Sequence, residues 1–271
     1  MVKKEDPILQ IIEKSGNGFH LRTAMYLKSL GWDITIGQYY ADPVTDKPRE
    51  IDILAKKNFP IADSGKHILV KLFIECKYVS EENVIWFTEK DFKKAKNLVR
   101  NNNMMRDCED HQLSTIVGLY QKQHHYIKPN QVGKLTAKEK GSDIFFDGIN
   151  SCLHSLISLE GRTYENYHLE YPVIILNSFD KIYEVTENPN EPYIKIQDNF
   201  QLEINYSYMS KENRQLSKYF LVDVISFNSL KSFLDEIRNV DISIAAGLAL
   251  TQIKKAGNII INQMFGRDDY Q

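Results

Sequence analysis

Long hydrophobic runs and cysteines are both scarce in this chain of 271 residues. No apolar stretch approaches the ~20 residues that a bilayer-spanning helix needs, and the segment from Met1 to Pro7 does not contain the apolar run of a signal peptide. The three cysteines, Cys76, Cys108 and Cys152, are too few for a disulfide framework. We therefore expect a protein of the reducing cytoplasm that has no membrane partner.

Glycine-rich phosphate-binding loops and a strong net charge are also missing. Neither a P-loop nor a dinucleotide-binding fingerprint is present, which disfavours ATP and NAD chemistry. The formal net charge of −2 provides no overall attraction to phosphate. The charge is nevertheless unevenly distributed, because residues 88–106 carry six basic side chains against two acidic ones, and residues 160–205 carry three against nine. Such asymmetry predicts one basic and one acidic face.

Two strand-like segments carry the most informative polar residues. Alternate residues of a strand point to opposite faces, so the even-numbered residues from Ile68 to Cys76 form an apolar face, and Glu75 and Lys77 lie on the other. The preceding segment alternates in the same way, with an apolar face made of Ile51, Ile53 and Ala55 and a polar face made of Glu50 and Asp52. If the two segments pair as an antiparallel hairpin, Asp52, Glu75 and Lys77 meet at one end of it.

These residue types suit metal-dependent phosphodiester hydrolysis. Mg²⁺ takes oxygen ligands and keeps several waters, so one or two carboxylates plus substrate phosphate oxygens are enough to hold it. Asp52 and Glu75 would be those carboxylates, and the backbone carbonyl of Cys76 would be a third ligand. Lys77 would place positive charge beside the attacking water and the developing phosphorane.

The order of these elements resembles the PD-(D/E)xK nucleases, the restriction-endonuclease-like superfamily. In that family a helix precedes a three-stranded meander, with an aspartate on the second strand and Glu-x-Lys on the third. Here the sequence predicts a helix from Gly18 to Gly31 and strands at residues 32–36, 49–54 and 74–77. The resemblance implies an α/β fold with a restriction-endonuclease-like core, in which a mixed β-sheet is flanked by α-helices. It also implies Mg²⁺, or Mn²⁺, as cofactor and nucleic acid, above all DNA, as substrate.

One departure from the family pattern concerns the first helix. Many members have a glutamate there, two or three residues after the Gly-Phe pair, that joins the metal site; this chain has Leu21, Arg22 and Thr23 instead. Glu50 and His20 are candidate accessory residues, and Arg22 is a candidate phosphate contact. Two alternatives stay open: a catalytically inactive member of the same fold that binds nucleic acid or protein, and an interaction protein with an accidental carboxylate cluster.

The rest of the chain is predicted to complete a single domain spanning residues 1–271. Residues 101–140 are irregular and read as an insertion or mobile loop. Two apolar runs at 172–177 and 220–225 predict buried strands, and residues 242–261 predict a helix. The basic helix after the third strand supplies candidate nucleic-acid contacts, namely Lys90, Lys93, Lys94 and Arg100; the other interpretation of these residues is a solvated helix face. The sequence leaves the oligomeric state open, with a dimer among the options.

Overall fold

The computed structural model describes residues 16–85, 87, 91–102, 105, 107, 109, 111–112, 123–124, 144–159, 167–209 and 215–265. Lys90 and most of the predicted insertion at residues 101–140 lie outside the described residues.

The first half of the chain begins with helix α1 (Gly16–Ser29) and the long strands β1 (Asp33–Ala41), β2 (Pro48–Pro60) and β3 (His67–Lys77). The next elements are strand β4 (Asn83–Ile85), helix α2 (Phe92–Asn101), strand β5 (Gln123–His124) and helix α3 (Ile144–Leu159). The predicted order of one helix and three strands is confirmed, with strands longer than the sequence pattern predicted.

The second half begins with strands β6 (His168–Leu176), β7 (Ile182–Val185), β8 (Tyr193–Lys195), β9 (Phe200–Met209) and β10 (Gln215–Ser226). A 3₁₀ turn (Phe227–Ser229), helix α4 (Leu230–Glu236), a π-helical turn (Ile237–Ile242) and helix α5 (Ser243–Phe265) follow. The strands predicted at 172–177 and 220–225 and the helix predicted at 242–261 are confirmed with shifted ends. No helix in the described part of the chain is both long and apolar enough to cross a membrane.

The large sheet is mixed and has the strand order β1-β2-β3-β6-β10-β9-β5. Strands β1, β2 and β3 form an antiparallel meander, whereas β6 runs parallel to β3 and β10 runs parallel to β6. A parallel neighbour requires a crossover connection, and helices α2 and α3 lie in the connection from β3 to β6. Strands β4, β7 and β8 form a small second sheet. The described residues therefore confirm a mixed sheet flanked by helices.

Two apolar clusters cover the two faces of the large sheet. The first, which we call the α1-side cluster, joins α1, α4 and α5 to even-numbered residues of β3 such as Ile74. The second, the α3-side cluster, joins α3 to Phe73 of β3 and Ile174 of β6. Period-two alternation in β3 thus determines which helix each side chain meets, and it places Glu75 on the same face as Phe73.

Helix α1 is fixed to the sheet by residues spaced along one helical face. Phe19, Ala24 and Leu27 are almost fully buried in the α1-side cluster. The helix ends at Ser29, and Gly31, two residues further on, has a φ of +79°, a left-handed conformation that glycine adopts without a steric penalty. This packing places His20, one residue after the buried Phe19, near the β2–β3 pair.

The β1–β2 hairpin twists sharply at Gly37 and Asp52. The pairing register is the same on both sides of Gly37, so Gly37 lies opposite Asp52, and its φ is +63°. Ile53 and Ala55 pack in the α1-side cluster, whereas Ile51 packs in the α3-side cluster. The prediction that Ile51 shares a face with Ile53 and Ala55 is therefore wrong, because strict alternation does not continue through the twist.

Candidate active site

Asp52 and Glu75 meet where strands β2 and β3 separate. The recorded pairing of these strands stops at Ile53 and Ile74, one residue short of the two acids. The N–H of Cys76 donates a hydrogen bond to Asp52 Oδ2 at 2.8 Å, and the N–H of Asp52 donates to Glu75 Oε1 at 3.4 Å. Each carboxylate is therefore held against the main chain of the opposite strand. The structure brings the two acids together, and their role as metal ligands stays a prediction.

Lys77 joins the acids through Glu75. Its Nζ lies 3.0 Å from Glu75 Oε2, and Glu75 is only 4% exposed. Burial, and then the neighbouring Asp52 carboxylate, raise the pKa of Glu75 to about 7, against the opposing effect of Lys77. Burial disfavours the charged form of Lys77, but the charges of Glu75 and Asp52 outweigh it and raise the pKa of the amine. The site is thus the buried carboxylate of Glu75 and the partly exposed carboxylate of Asp52, with one ammonium beside them.

Helix α3 closes the site from the α3-side face, and sequence reasoning missed this contribution. A Cβ built on Gly148 would lie 3.3 Å from Cε of Lys77 and 3.1 Å from Cδ1 of Ile174. Cys152, one turn further along, is fully buried, and its Sγ donates to the carbonyl oxygens of Phe73 and Val173. The only sequence signal was a glycine in the interior of an otherwise apolar helix, where glycine is unfavourable without a packing reason.

Tyr40 of β1 borders the same acids. It is buried, and its pKa is raised first by burial and next by the charge of Glu75. Its hydroxyl donates to the carbonyl oxygen of Ser151 at 3.5 Å, a long contact that links β1 to α3. Cys76 faces the opposite side, where its buried thiol lies in the α1-side cluster and burial raises its pKa well above the usual range. Only the main chain of Cys76 therefore borders the acids.

His20 is the accessory candidate that the structure brings nearest to Asp52. Its Nδ1 lies 3.9 Å from Asp52 Oδ1, and its side chain is 14% exposed. The Nε2 atom is buried and has no hydrogen-bond partner among the described residues. An imidazole nitrogen in that state can accept or donate one more hydrogen bond.

Glu50 lies beside Gly37, whereas the contacts recorded for Arg22 are with aromatic rings. Glu50 is exposed, and its Oε1 lies 2.9 Å from the position that a Cβ on Gly37 would occupy. The guanidinium of Arg22 is 5.7 Å from the ring centre of Phe19 and 5.9 Å from that of Phe227, within cation–π range. A phosphate contact by Arg22 stays a prediction.

The candidate nucleic-acid contacts on α2 lie against a different part of the sheet. Lys93 and Lys94 are exposed in the first turns of α2, where the carboxylate of Asp91 caps the helix by accepting from the N–H of Lys94 at 3.0 Å. Lys94 lines a cavity beside the start of β6, while Glu75 and Lys77 lie at the end of β3. The contact of Lys93, Lys94 and Arg100 with nucleic acid stays a prediction.

The side-chain donor set of the site is the two carboxylates of Asp52 and Glu75. Within the described residues, no group of three or more His, Cys, Asp and Glu side chains is arranged to hold a metal ion. No family model, curated protein or solved structure matches the chain. The functional argument therefore depends on the geometry of the site.

Proposed function

We propose that the chain is a metal-dependent nuclease with a restriction-endonuclease-like core that hydrolyses phosphodiester bonds of nucleic acid, with DNA as the favoured substrate. The observation that carries the proposal is the crossed pair of hydrogen bonds that aligns Asp52 and Glu75 at the end of the β2–β3 pair. Lys77 lies within ion-pair distance of Glu75, at 3.0 Å. The antiparallel meander and the parallel strand β6 next to β3 support the same core.

The donor set fits Mg²⁺, or Mn²⁺ in its place. These hard cations take oxygen ligands, and carboxylates plus substrate phosphate oxygens complete their coordination. Asp52 and Glu75 would hold the ion, with the main-chain carbonyl oxygen of Cys76 as a further ligand. When bound, the ion supplies Lewis-acid polarisation of the phosphoryl oxygen and lowers the pKa of a bound water.

The protein's own groups then have distinct roles. Lys77 stabilises negative charge that develops on the phosphoryl oxygens and orients the attacking water, and its ion pair with Glu75 keeps the ammonium in place before substrate arrives. Asp52 is oriented by the N–H of Cys76, so its position does not depend on a flexible partner. His20, whose Nδ1 lies 3.9 Å from Asp52 Oδ1, is an accessory residue beside the metal-binding acid.

A second candidate function is a catalytically inactive module of the same fold that binds nucleic acid or protein. The observation that favours it is the absence of any acidic residue in α1, where a further metal ligand would lie in the resembling family. The two candidates differ in what Asp52 and Glu75 do. In the nuclease they bind a metal, whereas in the inactive module they are an ordinary polar pair.

Cleavage assays on the full chain separate these functions. Purified protein would be incubated with duplex DNA, single-stranded DNA and RNA in Mg²⁺, Mn²⁺ or EDTA. We expect cleavage of DNA that requires the divalent ion and is abolished by D52N or E75Q. We expect K77M to retain metal binding, measured by Mn²⁺ titration, and to slow cleavage by ~10²-fold or more.

Two outcomes contradict the nuclease. Cleavage that persists in EDTA or in D52N would exclude the mechanism. An absence of cleavage on every substrate, with DNA binding intact, would favour the inactive module. The matched control is D46N, which removes an acid from the exposed β1–β2 turn and is expected to leave cleavage unchanged.

A further inference from the structure

Strands β6 and β10 are paired only over their last residues. The recorded pairing covers Val173–Leu176 with Asp223–Ser226. Before that point β6 pairs with β3, and β10 pairs with β9, so the two strands diverge toward their N-terminal ends. Pro172 lies at the divergence, where a residue without an N–H donor does not interrupt a ladder. A cavity of about 680 Å³ occupies the region between the strands.

The cavity has a mixed wall of aromatic, apolar and acidic groups. Helix α2 covers one side, with Val99 among its lining residues, and α4 and the π-helical turn cover another. The residues used below are Tyr171 of β6, Tyr219 and Asp223 of β10, and Asp241 of the π-helical turn. The site lies apart from Asp52, Glu75 and Lys77, which do not line it.

Two carboxylates are buried in this wall. Asp241 is 2% exposed and Asp223 is 4% exposed. The hydroxyl of Tyr171 donates to Asp241 Oδ2 at 2.7 Å, and Gln201 Nε2 donates to Asp223 Oδ1 at 2.8 Å. Asp241 Oδ1 has no hydrogen-bond partner among the described residues. A buried carboxylate oxygen without a hydrogen-bond donor lowers the stability of the folded state. A donor group on a bound ligand would remove this penalty.

The backbone around Asp241 is equally unusual. Residues Ile237–Ile242 form a π-helical turn between α4 and α5. π-Turns are rare and occur frequently at functional sites. Here the turn carries Asp241 into the wall of the cavity, and the unusual backbone and the unpartnered oxygen therefore fall on the same residue.

The charge of the site selects a cation. Burial, and then the charges of Asp223 and Glu236, raise the pKa of Asp241 to about 7 against the hydrogen bond from Tyr171, and a positive group beside it would offset this unfavourable charge environment. The other charged wall residues are Glu170, Lys94 and Lys218. Glu170 is paired with Lys71 at 2.8 Å, and Lys94 is paired with Asp91 at 3.5 Å. A bare metal ion fits poorly, since no three-ligand group exists among the described residues and the cavity is far larger than an ion.

We propose that this cavity binds a small organic cation, with an amino or guanidino group between Asp241 and Asp223 and its carbon skeleton against Tyr171, Tyr219 and Val99. The tyrosine rings would attract the cation through cation–π interactions, in addition to its attraction to the two carboxylates. The cation supplies the donor that Asp241 Oδ1 lacks. This site is independent of the proposed nuclease, and its test does not use cleavage.

Calorimetric titration of the full chain with agmatine and with putrescine tests the proposal. We expect saturable binding of at least one probe to wild type and an affinity at least tenfold lower in D241N. D223N, the second variant, should weaken binding in the same direction. The matched control is D235N, an exposed acid on α4, which should bind as wild type does.

The outcomes are separable from folding defects and from other ligands. Circular dichroism and thermal denaturation establish whether each variant is folded. If D241N is unfolded, D223N alone is used to test binding at the cavity. Absence of heat with both probes, or equal affinity in wild type and in both cavity variants, would overturn the proposal. Binding of cytidine monophosphate without binding of either amine would overturn it in favour of a neutral base, and binding of Mg²⁺ alone at Asp241 would overturn it in favour of a metal site.

Discussion

Gly148 of α3 and Lys77 of β3 approach each other so closely that a methyl group on Gly148 would lie 3.3 Å from Lys77 Cε. Such a separation is tighter than most Cβ contacts, so the lysine would have to move. The same methyl group would lie 3.1 Å from Cδ1 of the buried Ile174. The proposed catalytic lysine is therefore positioned partly by the absence of a side chain on the neighbouring helix.

Gly148→Ala should displace Lys77 and reduce the rate of DNA cleavage about tenfold, because a displacement of even a fraction of an ångström weakens aligned charge stabilisation. Mn²⁺ affinity should be unchanged, since Asp52 and Glu75 keep their main-chain contacts. The control is Gly247→Ala on α5, where an added Cβ meets nothing within 4 Å. That variant should cleave at the wild-type rate. A Gly148→Ala enzyme as active as wild type would remove Gly148 from this positioning role.

Two lysine–carboxylate pairs with the same separation should differ greatly in their effect on stability. Lys71 and Glu170 lie 2.8 Å apart with side chains 4% and 12% exposed, and Lys195 and Asp180 lie 2.8 Å apart with side chains 46% and 74% exposed. Lys71→Met should lower the free energy of unfolding by about 3–5 kcal/mol, because it leaves a buried carboxylate without its cation. Lys195→Met should leave it unchanged within error. Urea denaturation measures both, and similar losses in the two variants would contradict this account of burial.

A buried network around Asp42 connects β1, α3 and β9. Asp42 Oδ2 lies 3.0 Å from His154 Nδ1 and 3.4 Å from Arg49 Nε, and His154 Nε2 contacts the hydroxyl of Tyr206. Burial opposes the charge of Asp42, but hydrogen bonds from the N–H groups of Thr45 and Val44 and from His154 lower its pKa to about 2. The charged carboxylate therefore stabilises the folded state.

The sign of the pH dependence follows from the lowered pKa of Asp42. The folded state holds its proton more weakly than the unfolded state, so this stabilisation is present above about pH 4 and is lost as the pH falls toward 2. Asp42→Asn should lower the free energy of unfolding at pH 7 by roughly 1–3 kcal/mol, the value of hydrogen bonds to a charged group. The difference between the two proteins should shrink below pH 4. A difference that stays constant from pH 7 to pH 2 would show that the charge of Asp42 is not responsible.

Local patterns were sufficient to predict the elements that form the candidate site. Alternation in β3 placed Glu75 and Lys77 on one face, and helical spacing of apolar residues placed α1 before the meander. Both signals depend on neighbours within a few positions in the chain, so a sequence displays them directly. The twist at Gly37 and Asp52 was missed, and with it the true face of Ile51, because it depends on how two strands pair rather than on either strand alone.

The remaining features depend on contacts between distant segments. The approach of Gly148 to Lys77 joins residues 71 positions apart, and the cavity at Asp241 depends on where β6 and β10 stop pairing. The small sheet of β4, β7 and β8 was also missed, since each strand is only three or four residues long. Such short strands carry too little periodicity to be recognised.

The central claim, that Asp52 and Glu75 form a divalent-metal site, is tested most directly by soaking crystals of the protein in MnCl₂ and measuring anomalous scattering. The account predicts one strong anomalous peak in contact with carboxylate oxygens of both Asp52 and Glu75, and its loss in crystals of D52N. Crystals that show no peak between the two acids, or a peak only at another position such as Asp223 and Asp241, would contradict it.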